Sequence, residues 1–203
     1  MELKLIAYPT FFNGEEQIVS LLLQQYNFTF HLRKPSANTD EYRKFLKEIP
    51  ESLHAKIILH DAFELHKEFN VQGLHFSTFN RNNINAYENI PKSLSCHSVD
   101  EVAAWDGKVE DMFLSPVFPS ISKQGYNTTL DKVEMEKYLS QSRKSKVFAL
   151  GGIHVENISV IIEMGFDGIA VLGAVWGEQP GTYNEIKQRL NKIIKCLNQI
   201  HIV

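Results

Sequence analysis

Residues 146–172 read KVFALGGIHVENISVIIEMGFDGIAVL and contain the clearest indication of the fold. A short apolar run at Lys146–Leu150 and a second at Gly168–Leu172 flank an amphipathic segment at Val155–Met164. Short apolar runs bounded by glycine are typical of buried strands, and apolar residues at helical spacing predict a helix between them. A strand, a helix and a second strand in this order predict a right-handed crossover within a parallel sheet.

The same alternation of apolar and amphipathic segments extends along the chain. Eight apolar runs are predicted strands: Leu3–Tyr8, Phe28–Leu32, Lys56–His60, Gly73–Phe76, Ser93–His97, Asp111–Ser115, Lys146–Leu150 and Gly168–Leu172. The predicted helices are Glu15–Gln25, Thr39–Lys47, Ala62–Phe69, Val99–Trp105, Asp131–Gln141, Val155–Met164 and Tyr183–Asn198. The segment Ser77–Asn89 shows no clear pattern.

Eight strand and helix units in a chain of 203 residues match the lower size limit of a (β/α)8 TIM barrel, an α/β fold. An open, doubly wound parallel sheet is the alternative. No proline-rich or glycine/serine-rich linker divides the chain, which predicts one barrel domain over residues 1–203.

Charge and hydrophobicity exclude several classes of partner. The formal net charge is -3, whereas nucleic-acid-binding domains usually carry a basic surface. Polar residues interrupt the long uncharged stretch Gln17–Leu32, and Met1–Lys4 leads into the first strand without a signal-peptide pattern. We therefore expect a cytoplasmic protein that binds neither nucleic acid nor membranes.

The C-terminal helix carries an apolar stripe, formed by Ile186, Leu190, Ile193, Ile194 and Leu197. Apolar residues at this spacing most simply pack on the barrel. A contact between two copies of the chain in a homo-oligomer is the alternative.

Basic residues follow two of the predicted strands. Arg33 and Lys34 come after the second strand, and Lys123 lies in the loop after the sixth. Catalytic groups of such barrels come from the carboxyl ends of the strands, and guanidinium and ammonium groups bind phosphates. These residues predict a phosphate-binding mouth; the alternative is that each is a solvated loop charge.

Two kinds of loop strengthen the prediction of an anion site. Between Ser115 and Gly125, two prolines restrict the backbone that presents Ser120, Ser122 and Lys123. The other loops bring bare backbone to the ends of the last two strands, at Gly151–Gly152 and at Gly173. Loops in these positions often bind phosphate, although glycines also form plain turns.

Asp61 is the carboxylate placed directly at a strand end. Beside phosphates, an oxygen ligand of this kind suggests Mg2+, and the alternative is a helix N-cap. Four histidines also lie at strand ends: His31, His60, His75 and His97. Because they lack HxH or HExxH spacing, hydrogen-bonded histidines lining a polar mouth are favoured over a zinc site.

The chain resembles the thiamine phosphate synthase family and its close relative, the thiazole tautomerase family. The resemblance covers nearly the whole chain and rests on FHLRK (30–34), ILHD (58–61), GLHF (73–76), LSCHS (94–98), PVFPSISK (116–123), ALGGI (149–153) and GFDGIAV (165–171).

The synthase resemblance implies that an aminopyrimidine diphosphate and a thiazole phosphate, both small molecules, react to give thiamine phosphate and diphosphate. It implies that the catalytic residues Arg33, Ser95 and Lys123 hold the diphosphate, and that Mg2+ binds at Asp61 and Asn80. It further implies a set of substrate-binding positions: His31, Lys34, His60, Ser120, Ser122, Gly151, Gly152, Leu172 and Gly173.

The resemblance also has departures. Synthases usually carry glutamine at His31, lysine at Pro35, asparagine at His60 and a second magnesium-binding aspartate at Asn80. His31 before Arg33 resembles the tautomerase branch, yet that branch is expected to place its catalytic histidine where this chain has Pro116. Synthase activity is therefore the leading expectation, with a tautomerase or a non-catalytic binder of thiamine-related phosphates as alternatives.

Overall fold

The computed structural model describes residues 1–119 and 130–199 and contains a closed barrel of eight parallel strands, each hydrogen-bonded to the next in chain order. Strands β1 to β8 are Glu2–Ile6, Thr29–Leu32, Ile57–Leu59, Gly73–Phe76, Lys92–Cys96, Asp111–Leu114, Lys146–Leu150 and Gly168–Val171. Pairing of β1 with β8 closes the barrel, with Leu3 opposite Ile169. The predicted TIM barrel is confirmed, and the open doubly wound sheet is wrong.

Helices α1 to α7 surround the barrel and comprise Glu15–Gln25, Thr39–Glu48, Val99–Trp105, Lys132–Leu139, Ile158–Glu163, Gly173–Trp176 and Tyr183–Gln199. Side-chain caps define where several of them begin. Asn38 accepts hydrogen bonds from the backbone of Asp40 and Glu41 at the start of α2, and Ser98 accepts one from Glu101 at the start of α3.

Some predicted helix positions are wrong. The segment Ala62–Phe69 forms only a 3-10 helix, at Phe63–Lys67, a helix type that occurs in short pieces. The predicted helix Val155–Met164 begins as a 3-10 helix at Val155–Asn157 and becomes α-helical at Ile158. The sequence reading missed α6 and a further 3-10 helix, Glu51–Lys56. Extension of one domain over all 203 residues stays a prediction.

Alternation of side chains along each strand separates two environments. On β2, Phe30 and Leu32 belong to the large core between strands and helices, whereas the ring of His31 contacts Phe113 at 4.8 Å between centroids. Phe113 belongs to a second, smaller core with Phe148. The inward positions near the carboxyl ends of the strands therefore hold polar side chains above a small apolar floor.

Among residues 1–119 and 130–199, no helix combines the length and the hydrophobicity needed to cross a membrane.

Candidate active site

A cluster of three histidines lies at the carboxyl ends of β2, β3 and β4. Nδ1 of His31 and Nε2 of His60 are 2.9 Å apart and share a hydrogen bond. The rings of His60 and His75 stack, with their centroids 4.1 Å apart and their planes inclined by 21°. All three side chains are buried. We call His31, His60 and His75 the histidine cluster.

His75 also connects two serines of β5. Its Nδ1 lies 2.8 Å from Oγ of Ser93, and its Nε2 lies 2.8 Å from Oγ of Ser95. A neutral imidazole donates from one nitrogen and accepts at the other. If Nε2 carries the proton, the hydroxyl of Ser95 accepts from His75 and remains free to donate to a bound anion.

Burial keeps the histidine cluster neutral. Loss of hydration lowers the pKa of His31 and of His60 well below the usual value, and neighbouring imidazoles add to the effect. Burial, helped by the charge of Arg33, lowers the pKa of His75 to about 3. At neutral pH the three rings are therefore uncharged hydrogen-bonding groups.

Arg33 and Asp61 form the charged part of the mouth. Within the described residues, the exposed guanidinium of Arg33 has no ion-pair or hydrogen-bond partner. Its positive charge nevertheless lowers the pKa of both His60 and His75, which places it close to the histidine cluster. Arg33 is therefore available to an anion that enters the mouth.

The carboxylate of Asp61 accepts a hydrogen bond from the hydroxyl of Tyr42, at 3.2 Å. Burial raises its pKa, while Tyr42 and the positive charge of Arg33 act in the opposite direction. The next 3-10 helix is capped by Ala62 without a side-chain hydrogen bond, so Asp61 does not serve as the alternative N-cap. A partly desolvated carboxylate with one hydrogen-bonded neighbour retains oxygen lone pairs for a cation.

The donor set fits Mg2+ at Asp61 better than at Asn80. Mg2+ needs only one or two carboxylates, with water and phosphate oxygens completing its coordination. Oδ1 of Asn80 accepts hydrogen bonds from the backbone N–H of Ser77 at 2.7 Å and from its hydroxyl at 3.2 Å. Since these bonds occupy both lone pairs of that oxygen, the arrangement disfavours the expected ligand role of Asn80.

The expectation that Arg33 and Lys34 both offer a positive charge to substrate is wrong for Lys34. Its ammonium lies 2.6 Å from both carboxylate oxygens of Glu15 and also donates to the carbonyls of Tyr8 and Thr10. The side chain of Lys34 is 1% exposed and that of Glu15 is 0% exposed. An ammonium with these acceptors is not available to substrate, so Lys34 anchors loops instead of contacting a ligand.

Glycines after β7 make close contact with the loop after β6. A Cβ atom on Gly152 would come within 2.7 Å of the carbonyl oxygen of Pro119, and the φ of Gly152 is +63°. The backbone N–H of Phe118 donates to the carbonyl of Gly151 at 3.2 Å. A Cβ on Gly173, after β8, would meet no atom within 4 Å, so open space borders that backbone. The glycines therefore bring bare backbone to the mouth.

We expect Gly152→Ala to lower the free energy of unfolding by about 1–3 kcal/mol, because the new methyl group collides with backbone at a left-handed conformation. Urea denaturation measures the loss. Gly14 has a comparable φ of +78° but no atom within 4 Å of a Cβ. The control Gly14→Ala should lose only about 1 kcal/mol from backbone strain, and equal losses in both variants would contradict the contact at Gly152.

Five candidate residues from the sequence remain. Ser120, Ser122 and Lys123 lie outside the described residues, whereas Leu172 and His97 lie within them. Leu172 directly precedes α6 at the end of β8, where its carbonyl accepts from Trp176. His97 is exposed, its Nδ1 lies 3.0 Å from the carbonyl oxygen of Ser115, and it does not belong to the histidine cluster.

Sequence reasoning missed Ser93 and Tyr42. Ser93 and Ser95 are two positions apart on β5, a spacing that places both side chains on one face of a strand and could have revealed their shared partner. Tyr42 lies on α2, distant in sequence from the strand ends, and donates to Asp61. Nothing in its local sequence distinguishes it from a core tyrosine.

Comparisons with a family model and with solved structures identify the same family. The family model described as thiamine monophosphate synthase matches residues 6–175. A solved structure of thiamine phosphate pyrophosphorylase from Bacteroides thetaiotaomicron is 30% identical, with a TM-score of 0.83 and 98% of each chain covered.

Two more distant relatives agree with it. Thiamine-phosphate synthase of Bacillus cereus is 25% identical over 179 residues, which are 84% of this chain and 81% of that protein. The structure of thiamine phosphate pyrophosphorylase from Pyrococcus furiosus is 19% identical, with a TM-score of 0.73 and 97% coverage of each chain. At 19% identity, the similarity to the Pyrococcus furiosus structure supports the fold alone.

Proposed function

The chain belongs to the thiamine monophosphate synthase family, and from this premise we propose that it is a transferase of thiamine biosynthesis. It joins an aminopyrimidine diphosphate to a thiazole phosphate and releases diphosphate. The bond from the pyrimidine methylene carbon to the diphosphate breaks, and a bond from that carbon to the thiazole nitrogen forms. Both substrates are small molecules.

One observation supports the proposal beyond family membership: a guanidinium without a partner among the described residues and a carboxylate follow neighbouring strands. Arg33 follows β2 and Asp61 follows β3, and the charge of Arg33 influences the pKa of Asp61. A departing diphosphate needs fixed positive charge more than it needs a strong base. Arg33 supplies that charge, because no carboxylate in residues 1–119 or 130–199 forms an ion pair with it.

On the diphosphate side, Arg33 binds phosphate oxygens through two parallel N–H groups. Ser95 donates its hydroxyl hydrogen, and His75 positions that hydroxyl through the hydrogen bond at Nε2. We further propose that Lys123 completes this group, and that His31 and His60 line the pyrimidine side of the mouth. Lys34 has no part in binding because Glu15 holds its ammonium.

Asp61 is the residue that would hold Mg2+. When bound, the ion neutralises part of the charge that develops on the departing diphosphate. The hydroxyl of Tyr42 orients the carboxylate by donating to one of its oxygens. Asn80 has no role in this proposal as it stands, because Ser77 occupies its amide oxygen.

On the thiazole side, backbone N–H groups bind the phosphate. We propose Gly151, Gly152 and Gly173 for this role, because loops after the last two strands are a frequent phosphate site in this fold. Leu172 positions the last of these loops, and Ser120 and Ser122 would add hydroxyl donors. Thiazole isomerisation is not proposed, because Pro116 stands where the tautomerase histidine is expected and has no ionisable group.

A direct assay tests the proposal. The purified full chain is supplied with aminopyrimidine diphosphate, thiazole phosphate and Mg2+, and thiamine phosphate is followed by its oxidised fluorescence. We expect product that depends on both substrates and on Mg2+. Binding of thiamine phosphate without turnover would instead establish a non-catalytic binder.

The same assay includes a variant that restores the missing polar groups. Asn80→Asp adds a carboxylate and Pro35→Lys adds an ammonium at the positions where synthases usually carry them. We expect the double variant to need less Mg2+ for half-maximal rate, because a second carboxylate strengthens Mg2+ binding. An unchanged Mg2+ requirement would mean that Asp61 alone suffices.

A further inference from the structure

The histidine cluster contains more ligating capacity than the proposed reaction uses. A ring nitrogen of each of His31, His60 and His75 can be chosen so that the three atoms lie within 4.8 Å of one another.

The distances are close to those of a zinc site. Zinc–nitrogen bonds of about 2.0–2.1 Å in a tetrahedron place two ligand nitrogens about 3.3 Å apart. Nδ1 of His31 and Nε2 of His60 are already 2.9 Å apart. An ion that replaces their shared proton would need these two nitrogens to separate only slightly.

The third ligand needs a rotation. Because the rings of His60 and His75 stack with their planes inclined by only 21°, the lone pairs of their nitrogens lie in two nearly parallel planes and do not meet at one point. A turn of His75 about its Cβ–Cγ bond aims one nitrogen at the same point, and this torsion is broad for histidine. His75 then gives up one of its serine hydrogen bonds and keeps the other, which fixes the ring in the manner of outer partners at known metal sites.

The type of ligand atom distinguishes this site from the magnesium position. Neutral imidazole offers one nitrogen as a metal ligand. Nitrogen ligands also separate this site from the Mg2+ position at Asp61, because Mg2+ prefers oxygen.

We propose that His31, His60 and His75 form a binding site for one divalent transition-metal ion of the Zn2+ class. Three imidazoles provide three ligands, and a fourth position remains for water or a substrate oxygen, as in open rather than closed zinc sites. The absence of HxH and HExxH spacing does not argue against the site, because the ligands lie on β2, directly after β3 and on β4.

The test uses the full chain without an affinity tag, stripped with chelator and then dialysed against Zn2+ or Co2+. We expect about one Zn2+ per chain by atomic spectroscopy, retained in excess Mg2+, and the intense visible absorption of four-coordinate Co2+. His31→Asn and His60→Gln each replace a ligating nitrogen by an amide and should weaken Zn2+ binding by at least about 10-fold. His154→Gln, on a partly exposed histidine paired with Glu156, is the matched control and should bind as the wild type does.

Two results would overturn the proposal: retention of Zn2+ by the wild type at the level of the His60→Gln variant, or six-coordinate Co2+ in the wild-type spectrum. Circular dichroism confirms that the variants fold, and the Co2+ spectrum of the wild type decides the question even if they do not. Because no substrate is present, failure here is independent of the proposed transferase activity.

Discussion

Replacing Arg33 with glutamine lowers kcat/KM for thiamine phosphate formation by about 100- to 1000-fold, which is the usual effect of losing one preorganised group that stabilises developing charge. Arg33 is exposed at the end of β2 and has no partner among the described residues, so its full charge is available to diphosphate. Steady-state kinetics with varied aminopyrimidine diphosphate measure the effect. We expect kcat to fall more than KM rises, because the charge on the leaving group is greatest in the transition state.

Two further variants sharpen the result. Arg33→Lys keeps the charge but loses the planar pair of donors, and we expect an intermediate rate. Arg43→Gln removes a guanidinium that is already paired with Glu68 on the outer surface, and it should leave kcat/KM unchanged. If Arg33→Gln behaved like Arg43→Gln, Arg33 would have no role in the reaction.

Replacing Lys34 with methionine lowers the free energy of unfolding by about 3–5 kcal/mol, because it leaves the carboxylate of Glu15 buried without its partner. The ion pair is almost fully buried, with nitrogen–oxygen distances of 2.6 Å. Urea denaturation measures the loss. The control Lys146→Met breaks an ion pair with Glu2 in which both side chains are about half exposed, and it should cost less than about 1 kcal/mol.

The double variant Glu15→Leu with Lys34→Met tests whether Lys34 affects only stability or also substrate binding. Replacing both charges by apolar groups should recover most of the lost stability, since a buried pair contributes little net stability. We expect this variant to keep its rate, because the ammonium of Lys34 does not reach substrate. A double variant that folds but has lost activity would show that Lys34 takes part in substrate binding.

The contribution of the Glu15–Lys34 pair to stability depends on pH, and the pKa of Glu15 gives the sign of that dependence. Burial raises the pKa of Glu15 from 4.5 to about 7, and this outweighs the attraction of Lys34. A raised carboxyl pKa adds stability at low pH, and that stability is lost as the pH rises through the folded-state value. Relative to the double variant, the wild type should therefore lose stability between about pH 4.5 and pH 7. A constant difference across this range would contradict the pKa direction.

Most of the fold could be predicted from the sequence, because strand and helix are local properties of a periodic pattern. The predicted bounds of β4 and β7 and of helices α1 and α3 agree with the structure at every residue. Errors occur where the apolar pattern cannot distinguish a short 3-10 helix from a longer α-helix, as at Phe63–Lys67. The ordinal position of each strand end also placed Arg33 and Asp61 at one mouth.

The directions of individual side chains depended on tertiary contacts. Arg33 and Lys34 are neighbours in a basic segment, yet one is exposed and the other is buried against Glu15, 19 residues earlier. The strand ends located His31, His60 and His75 on one face of the barrel, but their spacing in sequence gave no indication of a shared site. Only the alternation of side chains across a closed barrel turns these three rings inward and brings them into contact. The sequence by itself determined which groups this protein has at its mouth; barrel closure decided which of them meet, because residues far apart in the chain become neighbours only when the strands pair.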